Sequence, residues 1–198
     1  PPLVRADRTG NRRLVEEAEG DADCLFDLLG REAGGRALVG PAGDPDSIRA
    51  ETLVSGPGRH RLFLARTRRD SAFETRLTPE ERIAIHDAAQ AGPLISRLSA
   101  LRVPAALATD RLFGRFLAEA GQQVIRRAVA DGARPDIPVF LGGKPSLALP
   151  YFGPSCRATL ARRGFANALR PSAVGERGLN ANLLGAAVLA LRKAKEHG

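Results

Sequence analysis

The stretch that decides the fold reads DRLFGRFLAEAGQQVIRRAVA, from Asp110 to Ala130. Its apolar residues recur three and four positions apart, which predicts a helix over these residues with one broad apolar face. Asp110 is expected to cap the start of this helix, and Gly132 to end it. The apolar positions are Leu112, Phe113, Phe116, Leu117, Ala120, Val124, Ile125, Ala128 and Val129.

The helix is followed by the run PDIPVFLGG, residues 135–143, which predicts a buried strand over Ile137–Leu141. After a loop, Ser155 is expected to cap a further helix, and Ala168-Leu169 to form a strand stub. Asn180 is expected to cap a last helix with a basic end. Because helices and strands alternate, the sequence predicts an α/β fold, with a C-terminal lobe whose sheet is covered by helices.

The N-terminal part is predicted to be mixed α+β. Residues Leu14–Glu32 carry a leucine stripe typical of a helix, and Gly34-Gly35 follows as a stop. Two β-like runs, Glu51–Val54 and Arg61–Ala65, flank the turn residues Ser55–Gly58, which predicts a hairpin. His60, beside that turn, is expected to be solvated.

A clear helix start lies at Thr78, where a hydroxyl, a proline and a glutamate stand at the positions of a capping box. This helix is predicted to run to about Gln90 and to end before Gly92-Pro93. A domain boundary is expected in this region. It divides the chain into an N-terminal segment, residues 1–92, and an α/β lobe, residues 93–198, unless the two form a single domain.

Composition excludes several classes of protein. Of the 198 residues 43% are hydrophobic and 26% charged, so a packed core is expected rather than disorder. Aromatic residues make up only 5%, which argues against stacking platforms for single-stranded nucleic acid. No apolar run reaches the roughly 18–20 residues of a membrane span, and no secretory signal is visible. The sequence therefore predicts a cytoplasmic protein with no membrane association.

The cysteines and histidines do not form metal-type spacings, so no zinc is expected. Cys24 and Cys156 are interpreted as reduced thiols. A helix N-terminus at Ser155-Cys156 would lower the pKa of the Cys156 thiol, so a reactive nucleophile is the alternative there.

The basic residues are almost all arginine. Lys plus Arg is 30 against 22 acidic residues, a net charge of +8, and only three of the 30 are lysine. The planar guanidinium group of arginine donates two parallel hydrogen bonds to a phosphate or carboxylate. An anionic partner is therefore one interpretation of the arginine excess. The other interpretation is the codon usage of a GC-rich genome, because the arginines are scattered along the chain rather than gathered in runs.

The glycine pair Gly142-Gly143 is the candidate ligand site. Glycines after a strand let a flat ring approach the backbone, and ligands usually lie at strand carboxyl ends in open α/β sheets. Lys144 and Ser146 could add a cation and a hydroxyl for a phosphate. The alternative is an ordinary strand-to-loop turn with Lys144 solvated.

The span from about residue 108 to 191 resembles the C-terminal lobe of the actin-like ATPase and sugar-kinase superfamily, in its ROK-like or hydantoinase/oxoprolinase-like branches. The resemblance is carried by the long amphipathic helix, the strand with its Gly142-Gly143 pair, and the later run NLLGAAVLAL, residues 182–191. It implies an adenosine-binding turn at the glycine pair, supported by Asn182 and Gly185. ATP or ADP with Mg²⁺ is then the expected cofactor.

The superfamily's Asp-x-Gly phosphate hairpin and the ROK zinc cluster have no counterpart in this sequence. The resemblance therefore implies a nucleotide- or phospho-ligand-binding protein that is catalytically incomplete or is completed by another subunit. If it is an enzyme, it is an ATP-dependent kinase- or ATPase-type subunit. The alternative function is a non-catalytic, arginine-rich interaction protein that binds RNA or an acidic partner in a larger assembly.

Overall fold

The long helix at the centre of the fold is longer than its apolar pattern predicted. The computed structural model describes residues 5–7, 47–49, 53–67, 70, 72–87, 89–166 and 168–172. In these ranges the helices are α1 (Gly56–Thr67), α2 (Pro79–His86), α3 (Ala91–Ala100), α4 (Pro104–Ala130) and α5 (Leu149–Arg162). Short 3₁₀ helices lie at Glu74–Arg76 and Lys144–Ala148. The strands are β1 (Arg5–Asp7), β2 (Ser47–Arg49), β3 (Val139–Leu141) and β4 (Leu169–Pro171).

Helix α4 begins at Pro104, six residues before the predicted start. Proline suits this first position because it has no amide hydrogen to leave unpaired. Asp110 is therefore not a cap but an interior residue of α4, and it is completely buried. The apolar face is also wider than the buried face, since Val124 remains 60% exposed.

The predicted hairpin around Ser55–Gly58 is wrong, because Arg61–Ala65 lies inside α1. The Ser55 hydroxyl accepts a hydrogen bond from the Gly58 amide at 3.1 Å, and the Ser55 carbonyl accepts one from the Arg59 amide at 2.9 Å. The same residues that favour a turn thus start a helix, with Pro57 in its first turn. The antiparallel pair among the described residues joins β1 to β2 instead.

The capping box at Thr78 is confirmed, with Thr78 and Glu81 bonded to each other's amides. Helix α2 ends at His86, earlier than predicted, and α3 then contains Gly92-Pro93 in its first turn.

Strands β3 and β4 run parallel, and α5 forms the connection between them. A parallel pair needs such a crossover, so β3, α5 and β4 form a βαβ unit. The predicted strand and strand stub are both present, but β3 is not a buried strand, because Phe140 is 61% exposed. In the described part helices predominate and this small parallel sheet accompanies them. The predicted helix Leu14–Glu32 and the helix after Asn180 lie outside the described residues.

Among the described residues the core has three apolar clusters arranged along α4. The first joins α1, α4 and α5, where the rings of Phe113 and Phe152 meet edge to face with centroids 5.0 Å apart. The second joins α1, α2, α3 and the start of α4 around Phe63 and Phe73. The third packs Ile125 and the end of α4 against α5 and the parallel sheet.

Helices α4 and α5 approach each other most closely at Gly114. A Cβ there would meet the carbonyl oxygen of Phe152 far inside contact distance and the amide nitrogen of Cys156 at 3.0 Å. Only glycine permits this approach of the two backbones. The Ser155 hydroxyl donates a hydrogen bond to the Arg111 carbonyl at 2.5 Å and fixes the same crossing.

Candidate ligand-binding turn after strand β3

The candidate site is the turn that leads from β3 into α5. Leu141 ends the strand, Gly142 and Gly143 follow, and the 3₁₀ helix from Lys144 continues into α5. Gly143 has φ +76° and ψ 175°, a backbone conformation that residues with a side chain rarely adopt. The turn therefore requires glycine at this position.

Gly142 presents bare main chain to solvent. Both glycines are exposed, and a Cβ at Gly142 would meet no atom within 4 Å. In the described part of the chain the space beside the Gly142 backbone is therefore open, as the approach of a flat ligand requires. The side chain nearest to a Cβ at Gly143 is that of Pro145, at 3.6 Å.

Ser146 is 4% exposed and holds the turn together. Its hydroxyl donates a hydrogen bond to the Gly143 carbonyl at 2.7 Å, and its amide donates to the same oxygen at 3.0 Å. A hydrogen bond from this hydroxyl to a phosphate would require the hydroxyl hydrogen to leave Gly143. The structure thus gives Ser146 a role in shaping the turn.

The remaining predicted site residues are described only in part. Lys144 begins the 3₁₀ helix, while its side chain lies outside the described part of the chain. Asn182 and Gly185 also lie outside the described residues. The structure therefore brings together Gly142, Gly143 and Ser146 on one turn.

Parallel pairing adds a residue that sequence reasoning missed. The Ser172 amide, just after β4, donates to the carbonyl of Leu141 at 2.8 Å. Because β3 and β4 are parallel, their carboxyl ends meet at one edge, and Ser172 lies beside the glycine turn. The sequence signal that could have pointed to Ser172 is the predicted strand stub at Ala168-Leu169. No local pattern reveals that this strand runs parallel to β3.

The alternative of a reactive cysteine is wrong. Ser155 and Cys156 lie in the middle of α5, which begins at Leu149, so no helix N-terminus faces the thiol. Cys156 is 1% exposed. Burial raises the pKa of its thiol to about 12, against a smaller opposing effect of Arg157. The thiolate needed for nucleophilic attack is therefore disfavoured.

His60 is also not a solvated turn residue. It lies on α1, 8% exposed, with Nε2 2.5 Å from the Ile85 carbonyl oxygen of α2. This contact joins two helices and gives the ring a structural role. His86, by contrast, is 59% exposed, and its Nε2 lies 3.3 Å from Glu74.

A buried polar cluster, Arg59, Ser99 and Asp110, lies where α1, α3 and α4 meet. Arg59 donates two hydrogen bonds to the Asp110 carboxylate, at 2.6 and 3.0 Å, and the Ser99 hydroxyl donates a third at 2.6 Å. The other guanidinium nitrogen of Arg59 reaches the Gly92 carbonyl and the Ser96 hydroxyl. Because every group of the cluster is partnered and buried, its role is structural.

Two cavities lie away from the glycine turn. The larger, about 570 Å³, is an open cleft between α2 and α3 that includes the Glu81–Arg97 ion pair. The smaller, about 230 Å³, lies beside the end of α4. Among the described residues, no three His, Cys, Asp or Glu side chains are grouped as a metal site would require, and no helix is long and apolar enough to cross a bilayer.

No protein-family model matches the chain, and no curated protein or solved structure is significantly similar to it.

Proposed function

We propose that the turn at Gly142-Gly143 binds a nucleotide or another phosphorylated ligand. The observation that carries the proposal is exposed main chain at the carboxyl edge of two parallel strands, with no described side chain within 4 Å of a Cβ at Gly142. Ligands of open α/β folds lie at this edge, and a flat ring can pack on a backbone that lacks Cβ atoms.

The sequence resemblance supports the same turn. In the actin-like and sugar-kinase lobe, a strand with paired glycines forms the adenosine-binding turn. The proposal extends the described βαβ unit to a lobe of this kind, with Asn182 and Gly185 near the ligand. ATP or ADP with Mg²⁺ is the proposed ligand, and a second subunit supplies the phosphate hairpin where phosphoryl transfer occurs.

Gly142→Leu tests the site without disturbing the turn. A leucine fits in the open space at Gly142, whereas any side chain at Gly143 would be strained by its positive φ. We expect millimolar Mg-ADP or Mg-ATP to raise the Tm of the full chain, and Gly142→Leu to abolish that shift because its side chain occupies the place of the ring.

The matched control is Gly121→Leu, since a Cβ at Gly121 on α4 also meets no atom within 4 Å. This variant should retain the nucleotide-induced shift. Nucleotide binding at the turn is excluded if neither nucleotide shifts the Tm of the unmodified chain, or if both variants lose the shift equally.

An arginine-rich interaction surface is the second candidate function. Exposed arginines on α4, on α5 and directly after α5 favour it. Among them only Arg127 and Arg163 pair with carboxylates of described residues. The exposed set is Arg111, Arg126, Arg127, Arg157, Arg162 and Arg163. Binding to RNA would then weaken steeply as salt increases, because phosphate contacts release counterions. RNA binding that is absent at low salt would eliminate this candidate.

A further inference from the structure

The smaller cavity lies at the opposite end of the parallel strands from the glycine turn. It has a volume of about 230 Å³ and is bordered by the end of α4, by Pro135 before β3, and by Gly164 and Phe165 before β4. Since these last residues precede their strands, the cavity is at the amino ends, and the glycine turn is at the carboxyl ends. The two sites are therefore distinct.

The wall of this cavity is mostly apolar. Ile125 belongs to the third core cluster and is 3% exposed, and Phe165 packs against the same cluster. Val129, 37% exposed, and Pro135 complete the apolar lining. If an apolar ligand binds here, its own apolar surface and that of the cavity wall are both removed from water, which favours binding.

Arg126 is the only charged side chain among the described residues that line the cavity. Its guanidinium carbon lies 5.7 Å from the centroid of the Phe165 ring, a cation–π contact that holds the group at the wall. It donates no hydrogen bond to any described residue, so its planar set of N–H donors is free on that part of the surface.

The two acidic residues between α4 and β3 accept hydrogen bonds from other arginines. Asp131 accepts a hydrogen bond from Arg127 at 3.1 Å. Asp136 accepts two hydrogen bonds from Arg134, at 3.0 and 2.7 Å. Arg126 thus has no carboxylate partner among the described residues and is open to an anion from solution.

We propose that this cavity binds a small carboxylate with an apolar body. The carboxylate would form a two-point hydrogen bond with Arg126, and the apolar part would lie against Ile125, Val129 and Phe165. At about 30 Å³ per water molecule, the cavity volume corresponds to roughly eight waters, a size that suits a single ring with one carboxylate.

Benzoate is the probe for this site, and benzyl alcohol is its neutral counterpart of similar shape. Titration of the ¹⁵N-labelled full chain should show saturable shifts of amides at the end of α4 and around Phe165. Arg126→Gln should weaken benzoate binding at least tenfold, because it removes both the charge and the fork. Arg126→Lys should have an intermediate effect, since it retains the charge alone.

The matched control is Arg127→Gln, which changes the adjacent and highly exposed arginine on the same helix. It should leave benzoate affinity unchanged, as should Gly142→Leu at the glycine turn. The last comparison separates this inference from the proposed nucleotide site. The inference is overturned if benzoate produces no saturable shifts, if benzyl alcohol binds equally well, or if both arginine variants weaken binding to the same extent.

Discussion

Cys156 shows how burial decides the chemistry of a single residue. It packs with Ala118, Ile125 and Leu160 in the third core cluster, where a charged thiolate would lose its hydration. The neutral thiol is therefore the form compatible with the fold. A nucleophile suggested by a serine-cysteine pair in the sequence is, in the structure, a small apolar side chain.

This burial predicts a dependence of stability on pH. The pKa of Cys156 is raised to about 12 in the folded chain, above the value of about 8.5 expected when unfolded. Its contribution is complete below the unfolded value and is lost as pH rises towards the folded value, at up to about 1.4 kcal/mol per pH unit. We expect the free energy of unfolding, measured in urea, to decrease between pH 9 and pH 11.

Cys156→Ala provides the comparison, since alanine has no titrating group. The difference between the two pH profiles isolates the thiol from other groups that titrate in this range. Equal slopes for both proteins would contradict the assignment. Alkylation by iodoacetamide at pH 8, mapped by peptide mass, should likewise reach Cys156 only after denaturant is added.

At the scale of the element, α2 depends on its capping box. The Thr78 hydroxyl accepts a hydrogen bond from the Glu81 amide at 3.2 Å, and the Glu81 carboxylate accepts one from the Thr78 amide at 2.8 Å. The other oxygen of the same carboxylate accepts from Arg97 of α3 at 2.5 Å. One local motif therefore both starts a helix and joins it to the next.

Thr78→Ala should destabilise the chain by about 1 kcal/mol, because an amide at the start of α2 loses its acceptor. Thermal or urea unfolding measures the loss. Thr78→Ser retains the hydroxyl and should remain within a few tenths of a kcal/mol of the unmodified chain. If serine costs as much as alanine, the threonine methyl rather than the hydrogen bond carries the effect.

At this scale the sequence predicts a feature correctly when the interacting residues are close together in the chain. The capping box was predictable because all its partners lie within three residues. The start of α1 was misread because serine, proline and glycine favour both turns and helix starts. Asp110 was misread as a cap because its partner, Arg59, lies 51 residues away in sequence.

The candidate sites follow the same rule. The turn at Gly142 and Gly143 was predictable from a local strand-and-glycine pattern, while its role as a ligand site stays a prediction. Ser172 was missed because it reaches the turn through the pairing of two strands. The Arg126 cavity was missed because its walls come from α4 and from two separate loops.

For the whole molecule, the buried polar cluster is the junction that fixes three helices to one another. Removing one partner of a buried ion pair leaves an uncompensated charge, which typically costs about 3–5 kcal/mol. We expect Asp110→Ala to lower the free energy of unfolding by this amount, as measured in urea.

The double variant Arg59→Met with Asp110→Leu distinguishes charge from packing. Apolar replacement of a whole buried pair is often neutral, so much of the lost stability should return. Arg127→Gln, which breaks the exposed pair with Asp131, should change stability by no more than about 0.5 kcal/mol. If Asp110→Ala lowers the free energy of unfolding as little as Arg127→Gln does, the guanidinium group of Arg59 must become hydrated in the variant.

The contact at Gly114 has a mechanical consequence. Helix α5 follows the glycine turn after the 3₁₀ helix Lys144–Ala148, and at Gly114 its backbone packs on that of α4 with no side chain between them to absorb a shift. Sliding of one helix along the other is therefore blocked by main-chain atoms. A shift of either helix along the other would bring a residue of α4 that carries a Cβ to the place of Gly114, where no side chain fits.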